Sequence, residues 1–418
     1  MSFMKKSAAG LALTASALAA STAFAAGFQL TEQSSLGLGR AYAGAGIVGD
    51  DLSAVHYNPA GMTLLPGTQI QAGTVYIDVD AAYSGNDGSE NNGRMKGQFI
   101  PAGYTTYQVN DKLWLGFAMT VPFGMGTHYG RVWEENTSGT SAKIYTFDMN
   151  PSFAYKISDF ISVGAGISVQ YAKAHLGKAM LPNGLLHGKV EGDSWDWGYN
   201  FGIMISPTDT MRFGLAYRSS VEHDAEGHTK LTGTLLNGGL VENMDLNGLT
   251  ADMKTTIETP ATVMLTGTWE ATPDLRLSGL IRWAEWSNFD TLELNHSSPM
   301  NLVPDVVIEN KWQDTWLFSV GADYRINDAW TVRGGIAYET GAVDDEKYRV
   351  AVIPDTDRLW LSLGASYHWS KQLQFDVAAA MLKGIGNRDL YDYDTKTKAG
   401  EFDNLDCYIL GAQMQYRF

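Results

Sequence analysis

Cysteine is almost missing from this sequence: Cys407 is the only one among 418 residues, which excludes an internal disulfide and a cysteine-based metal cluster. Long apolar runs are missing as well. Beyond the N-terminal region no window of roughly 18 residues is uninterruptedly apolar, so no helix is suited to span a bilayer. Basic residues are in the minority, 30 Lys and Arg against 46 Asp and Glu, and the net charge of −16 argues against nucleic acid as a partner. The 8 histidines fall singly, without H-E-x-x-H, and neither G-x-S-x-G nor a phosphate-binding loop occurs. Asp389, Asp392, Asp394 and Asp403 lack EF-hand spacing and read as a solvated acidic loop. No enzyme, metal or cofactor is expected.

What is present begins with an export signal, residues 1–25. Lys5 and Lys6 supply its basic start, Ala8–Ala20 its apolar run, and Ala23-Phe24-Ala25 its small-x-small cleavage site. Residues 26–65 follow, rich in Gly, Ala and Ser and without the two-residue alternation of a membrane strand. From residue 66 to residue 418 alternation dominates. In the last segment Tyr408, Leu410, Ala412, Met414, Tyr416 and Phe418 share one face, opposite Gln413, Gln415 and Arg417. Apolar faces ending in aromatics suit a lipid-facing band with interfacial girdles, and the charges opposite need a wet lumen.

Fourteen such segments are predicted, the third at 113–125, the fifth at 160–174, the sixth at 191–206, the seventh at 211–224 and the eighth at 251–269. Short turns such as Asn110-Asp111 and Asn327-Asp328 alternate with long connections such as 175–190 and 225–250. That pattern belongs to outer-membrane barrels, which keep short turns in the periplasm and long loops outside. The expectation is therefore an all-β, 14-stranded antiparallel transmembrane β-barrel in a Gram-negative outer membrane. A secreted array of β-sandwiches is the weaker alternative. Outer-membrane lipid and lipopolysaccharide would surround the barrel. Fourteen strands enclose more space than side chains fill, and residues 26–65 are the natural occupant, an N-terminal hatch inside the lumen.

Local chemistry marks several places. Pro59 fixes its own φ and biases Asn58 away from helix, giving a stiff corner at Asn58-Pro59-Ala60; an ordinary helix stop would use the same residues. Pro101, Pro122, Pro151 and Pro260 fall inside predicted strands, where each removes a ladder donor. The run Pro122-Phe123-Gly124-Met125-Gly126 is the most disruptive, because Gly124 and Gly126 add a bend beside the lost donor; the alternative is that strand three ends at Val121. Two external loops are apolar, one with Leu181 and Leu185 and the other with Leu236 and Leu240. They read as a capture groove for a hydrophobic molecule or as a self-packed loop cap.

The stretches AGFQLTEQSSLGLGRAYAGAG at 26–46, NPAGMT at 58–63, WDWGYNFGI at 195–203, WAEWSNF at 283–289 and IPDTDRLWLSLG at 353–364 resemble the FadL family of outer-membrane long-chain fatty acid transporters (OmpP1/FadL/TodX). The resemblance covers the whole mature chain. It implies a monomeric fourteen-stranded barrel with a hatch, taking long-chain fatty acids or, in some members, aromatic or aliphatic hydrocarbons. Asn58-Pro59-Ala60 matches the family's hatch motif, and Ala26-Gly27-Phe28 its extreme N-terminus near the binding pocket. The Pro122–Gly126 run falls where the family's third strand kinks inward and opens the wall. Lys178 stands about where the family has an arginine, and Lys311 near another family cation; both are candidates for the head group. Arg282, Arg325 and Arg333 are inward-facing alternatives. The resemblance thus implies passive uptake, hatch gating and sideways release.

Overall fold

A computed structural model describes residues 27–86, 90–91, 97–128, 141–179, 186–235, 244–245, 247–297, 303, 305–349, 351–392 and 395–418. The signal at 1–25 and Ala26 lie outside the described residues.

Fourteen antiparallel staves close on one another. They are β1 (Thr68–Asp80), β2 (Gln98–Gln108), β3a and β3b (Leu113–Thr120, Gly124–His128), β4 (Ser141–Lys156), β5 (Ile161–Ala179) and β6 (Leu186–Thr208). Then come β7a and β7b (Met211–Arg218, Val221–Leu235), β8a and β8b (Thr250–Thr259, Thr262–Glu270), β9 (Leu275–Ala284) and β10 (Thr315–Arg325). The series ends with β11 (Trp330–Glu339), β12 (Arg358–His368), β13 (Leu373–Gly384) and β14 (Asp406–Arg417). Each pairs with its neighbours in sequence, and β14 returns to β1, from Gln69↔Arg417 to Asp80↔Asp406, so the sheet closes on itself.

Side chains sort as the alternation requires. Leu359, Leu361 and Leu363 on β12 are 38%, 51% and 70% exposed, while Trp360 between them is fully buried. The outward series is a lipid-facing band; the inward one meets the N-terminal segment.

Three strands run well beyond their predicted bounds. β5 and β6 run on to Ala179 and back from Leu186, through most of what reads as the loop 175–190, and β7b likewise continues to Leu235. These extensions lie beyond the apolar outer band: the outward residues of β7b include Glu222, Asp224 and Glu226, which are exposed. With water on both sides, alternation is no longer imposed. Leu181, Leu185, Leu236 and Leu240 lie outside the described residues, and of Lys178 only the backbone is described.

Residues 27–65 occupy the lumen. They form two one-turn helices, α1 (Ser35–Leu38) and α2 (Ala54–Tyr57), and a 3₁₀ turn over Pro59–Leu64. The wall makes room for them with glycines. A Cβ on Gly202 of β6 would fall 2.1 Å from Asn58 Oδ1, and one on Gly335 of β11 would fall 2.3 Å from the Arg40 carbonyl carbon. The segment thus touches opposite parts of the barrel through positions that tolerate no side chain.

Candidate functional site

The Asn58-Pro59-Ala60 corner is built from both ends of one amide. Asn58 Oδ1 accepts from Ala60 N at 3.1 Å, closing the turn that Pro59 pre-sets, and Nδ2 donates to the Ile203 carbonyl of β6 at 3.1 Å. A second anchor is ionic. Buried Arg40 reaches Asp50 at 2.9 Å and Asp323 of β10 at 3.3 Å, while Arg276 meets Asp50 at 3.2 Å and Arg333 meets Asp323 at 2.9 Å. Burial pushes the Asp50 carboxyl up, but Arg40 and Arg276 more than reverse this and hold it well below the usual range. Asp50 also borders a recess of about 400 Å³ at the short-turn mouth, beside Ser370 and Gln372.

At its other end the segment is caged. Phe28 is fully buried and stands edge-on to Trp286 at 4.7 Å and Phe289 at 5.5 Å, with Phe123 and Trp312 both at 6.1 Å. Such pairings add specificity to the burial of apolar area.

Phe123 belongs to a break in the wall. The β2–β3a ladder stops at Gly103↔Met119, and among the described residues β3b pairs only with β4. Gln98–Ala102 of β2 keep their pairing to β1 yet have no ladder partner on the other side among the described residues. Five residues at about 3.3 Å each make an unpaired edge roughly 16 Å long. The backbone of 121–124 turns inward instead. Leu30 N donates to the Pro122 carbonyl at 2.8 Å, Gly124 N donates to the Phe28 carbonyl at 2.9 Å, and Gln29 bridges Phe123.

A narrow chamber of about 50 Å³ adjoins this break. Gln29, Leu30 and Thr31 line it from the segment, Pro122 and Phe123 from the break, and Tyr42, Tyr57, Ala216, Met264, Leu280 and Leu317 give it apolar walls. Two cations reach it. Arg218 holds Asp148 at 3.4 Å and donates to the His56 carbonyl at 3.1 Å; Arg282 holds Glu339 at 2.8 Å and donates to Thr31 Oγ1 at 2.7 Å. Burial, then Arg218, keeps the His56 imidazole well below its ordinary pKa and therefore neutral.

The family model for outer membrane protein transport proteins (OMPP1/FadL/TodX) matches residues 16–418. The chain belongs to this family. It is a multi-pass β-barrel of the Gram-negative outer membrane, a transport protein rather than an enzyme. Similar proteins include a long-chain fatty acid transport protein of Escherichia coli O6:H1, 30% identical over 88% of this chain and 89% of that one. Outer membrane protein P1 of Haemophilus influenzae is 30% identical over 91% of each. Among solved structures, a Pseudomonas aeruginosa FadL homologue superposes with a TM-score of 0.79 at 25% identity, covering 94% of this chain and all of that one. The Pseudomonas putida toluene transporter TodX, at 18% identity, shares the fold with a TM-score of 0.70 over 88% and 94% of the chains.

For this FadL-type barrel the structure brings Gly27, Phe28, Pro122, Phe123 and Gly124 together at the break, with Gly126 two residues on in β3b. The Asn58 corner contacts β6 and β7a. Lys311 does not border the chamber: its Nζ meets the Tyr348 hydroxyl at 2.9 Å and Glu309 at 3.2 Å on the outside. The hydrogen bond to Tyr348, then that to Glu309, raises its pKa. Arg325 is half exposed and pairs with Asp274 at the short-turn mouth. Arg333 is spent on Asp323. Arg282 alone of the three inward candidates reaches the chamber. Sequence reasoning missed Arg218, which closes β7a and looked like any lumen charge, and the cage residues Trp286, Phe289 and Trp312.

Proposed function

We propose that this barrel is a passive uptake channel for long-chain fatty acids. Apolar outer loops capture the ligand, the chamber holds it with its carboxylate toward Arg218 or Arg282, and residues 26–65 act as the hatch. Release is sideways into the bilayer at the break after Thr120. The observation that carries this reading is the coincidence of three features: an unpaired β2 edge, an inward backbone bonded to the hatch, and a chamber lined by both. A straight route to the periplasm would disrupt the buried pairs among Arg40, Asp50, Asp323 and Arg333. Breaking one such pair by removing a partner costs about 3–5 kcal/mol. Sideways exit also spares an acyl chain the loss of about 0.8 kcal/mol per CH₂ on entering water.

A second reading keeps the route and replaces the ligand with a neutral aromatic or aliphatic hydrocarbon. It is favoured by the fact that both chamber arginines already have carboxylate partners. Binding of oleate, methyl oleate and toluene to purified barrel separates the two. Preference for oleate over its ester supports the fatty acid; indifference to the carboxylate supports the hydrocarbon. The route is tested by Pro101→Val with Pro122→Val, which returns to β2 the N–H missing opposite Val121 and removes the φ constraint at the bend. Oleate transfer should fall with binding retained, and undiminished transfer would refute lateral release.

A further inference from the structure

We propose that the Gln33 side-chain amide is the latch of the wall break, and that it must let go of Val121 for a ligand to leave. This rests on the lateral-release reading above. Continuing the β2–β3a register two residues past Gly103↔Met119 would set Val121 opposite Pro101, which has no N–H to give. Val121 finds both partners on Gln33 instead. Its N–H donates to Gln33 Oε1 at 3.3 Å, and Gln33 Nε2 donates to its carbonyl at 2.7 Å. Gln33 is fully buried, and its main chain is held from two sides. The Tyr104 hydroxyl donates to its carbonyl at 2.7 Å, and its N–H donates to the Tyr57 hydroxyl at 3.3 Å.

The same wall repairs another proline break differently. The β4–β5 register sets Pro151 opposite Ile167, and the ladder skips from Met149↔Val169 to Ser152↔Gly166. There Asn150 Nδ2, one residue away on the same strand, donates to the Ile167 carbonyl at 2.8 Å. That repair is part of the wall and stays with it. At Val121 the repair comes from the hatch, so it leaves whenever the hatch shifts.

Gln33 also stands between two spaces. The chamber lies on the side of Leu30, Pro122 and Phe123 and does not include Gln33 among its lining residues. A small void of about 10 Å³ lies on the other side, between Gln33 and Ile100, Ala102 and Tyr104, behind the unpaired stretch of β2. A ligand filling the chamber presses on both the segment that carries the latch, at Gln29–Thr31, and the residue after Val121. Once it has passed, two buried backbone groups without partners favour re-closure.

The test compares wild type with Gln33→Met, which keeps the volume and loses both bonds to Val121 along with the 3.1 Å bond from Gln33 Nε2 to the Leu30 carbonyl, in proteoliposomes. Heat-modifiable mobility reports folding, tryptophan quenching reports oleate binding, and fluorescent oleate reports transfer. Binding should stay within about twofold while transfer rises about tenfold, the factor that about 1.4 kcal/mol of lost hydrogen bonding corresponds to. Unchanged or slower transfer in a folded variant overturns the latch. Should Gln33→Met fail to fold, Gln33→Asn, whose amide falls a methylene short of Val121, is read by the same criteria. The two readings fail separately: if Pro101→Val with Pro122→Val transfers oleate like wild type, lateral release itself is wrong, whatever Gln33 does.

Discussion

A β-carbon on Gly27 would fall 2.8 Å from Cζ2 of Trp286, and 2.7 Å from Cζ3 of Trp312 on the other side. Gly27 also has φ +65, a conformation that side chains disfavour. The cage around Phe28 therefore fixes glycine at the residue before it. Gly27→Ala should push Phe28 out of the cage at a cost of about 1–3 kcal/mol. Hydrogen exchange at residues 28–33 should accelerate while the heat-resistant barrel band is unchanged. Wild-type protection there would show that the cage does not hold the hatch.

Asn58→Ala removes both the turn closure and the tie to Ile203. The loss should be about 1–2 kcal/mol, confined to the hatch. Oleate uptake should change with the barrel band intact. Uptake and growth on oleate equal to wild type would remove the corner from the gating account.

Glu32 gives the hatch a pH dependence. Burial first, and Glu339 second, push its carboxyl up from 4.5 to about 8, and its Oε2 has no hydrogen-bond partner. Between those values the packed segment keeps a proton that a released one would lose. Packing is then strongest at the acid end and weakens as pH rises through the window. Protection factors for residues 28–38 should fall between about pH 5 and about pH 9, and Glu32→Gln should flatten the curve. A slope that persists in Glu32→Gln assigns the effect elsewhere.

Arg218 is the chamber cation held by the longer ion pair, 3.4 Å to Asp148 against 2.8 Å for Arg282 and Glu339. A charge-assisted hydrogen bond to a ligand carboxylate contributes about 1.5–3 kcal/mol. Arg218→Gln should accordingly weaken oleate binding by about 10- to 100-fold and leave methyl oleate unchanged. Equal loss for both ligands would mean that the substitution disturbs the chamber and that Arg218 does not meet the head group.

What the sequence revealed follows membrane depth. β12 and β14 were legible because lipid imposes an apolar outer residue at every second position, as in Leu359, Leu361 and Leu363. Above that band β5 and β6 continue through His175–Ala179 and Leu186–Val190 with no such demand, so these stretches read as loop. Breaks at Pro122 and Pro260 announced themselves; the one at Ser219-Ser220 did not, since serine breaks nothing by itself. The cage joins Phe28 to Trp286 and Trp312 across more than half the chain, a contact no local period encodes.

Sideways release is tested most directly by catching the ligand at the wall. A benzophenone amino acid at Phe99, 61% exposed on the unpaired edge of β2, should cross-link radiolabelled oleate in transit. The same group at Phe375, 39% exposed on the fully paired β13, should not, and neither should one at Gln372 beside the short-turn recess. Strong capture at 372 with none at 99 would mean that the ligand leaves through the periplasmic mouth.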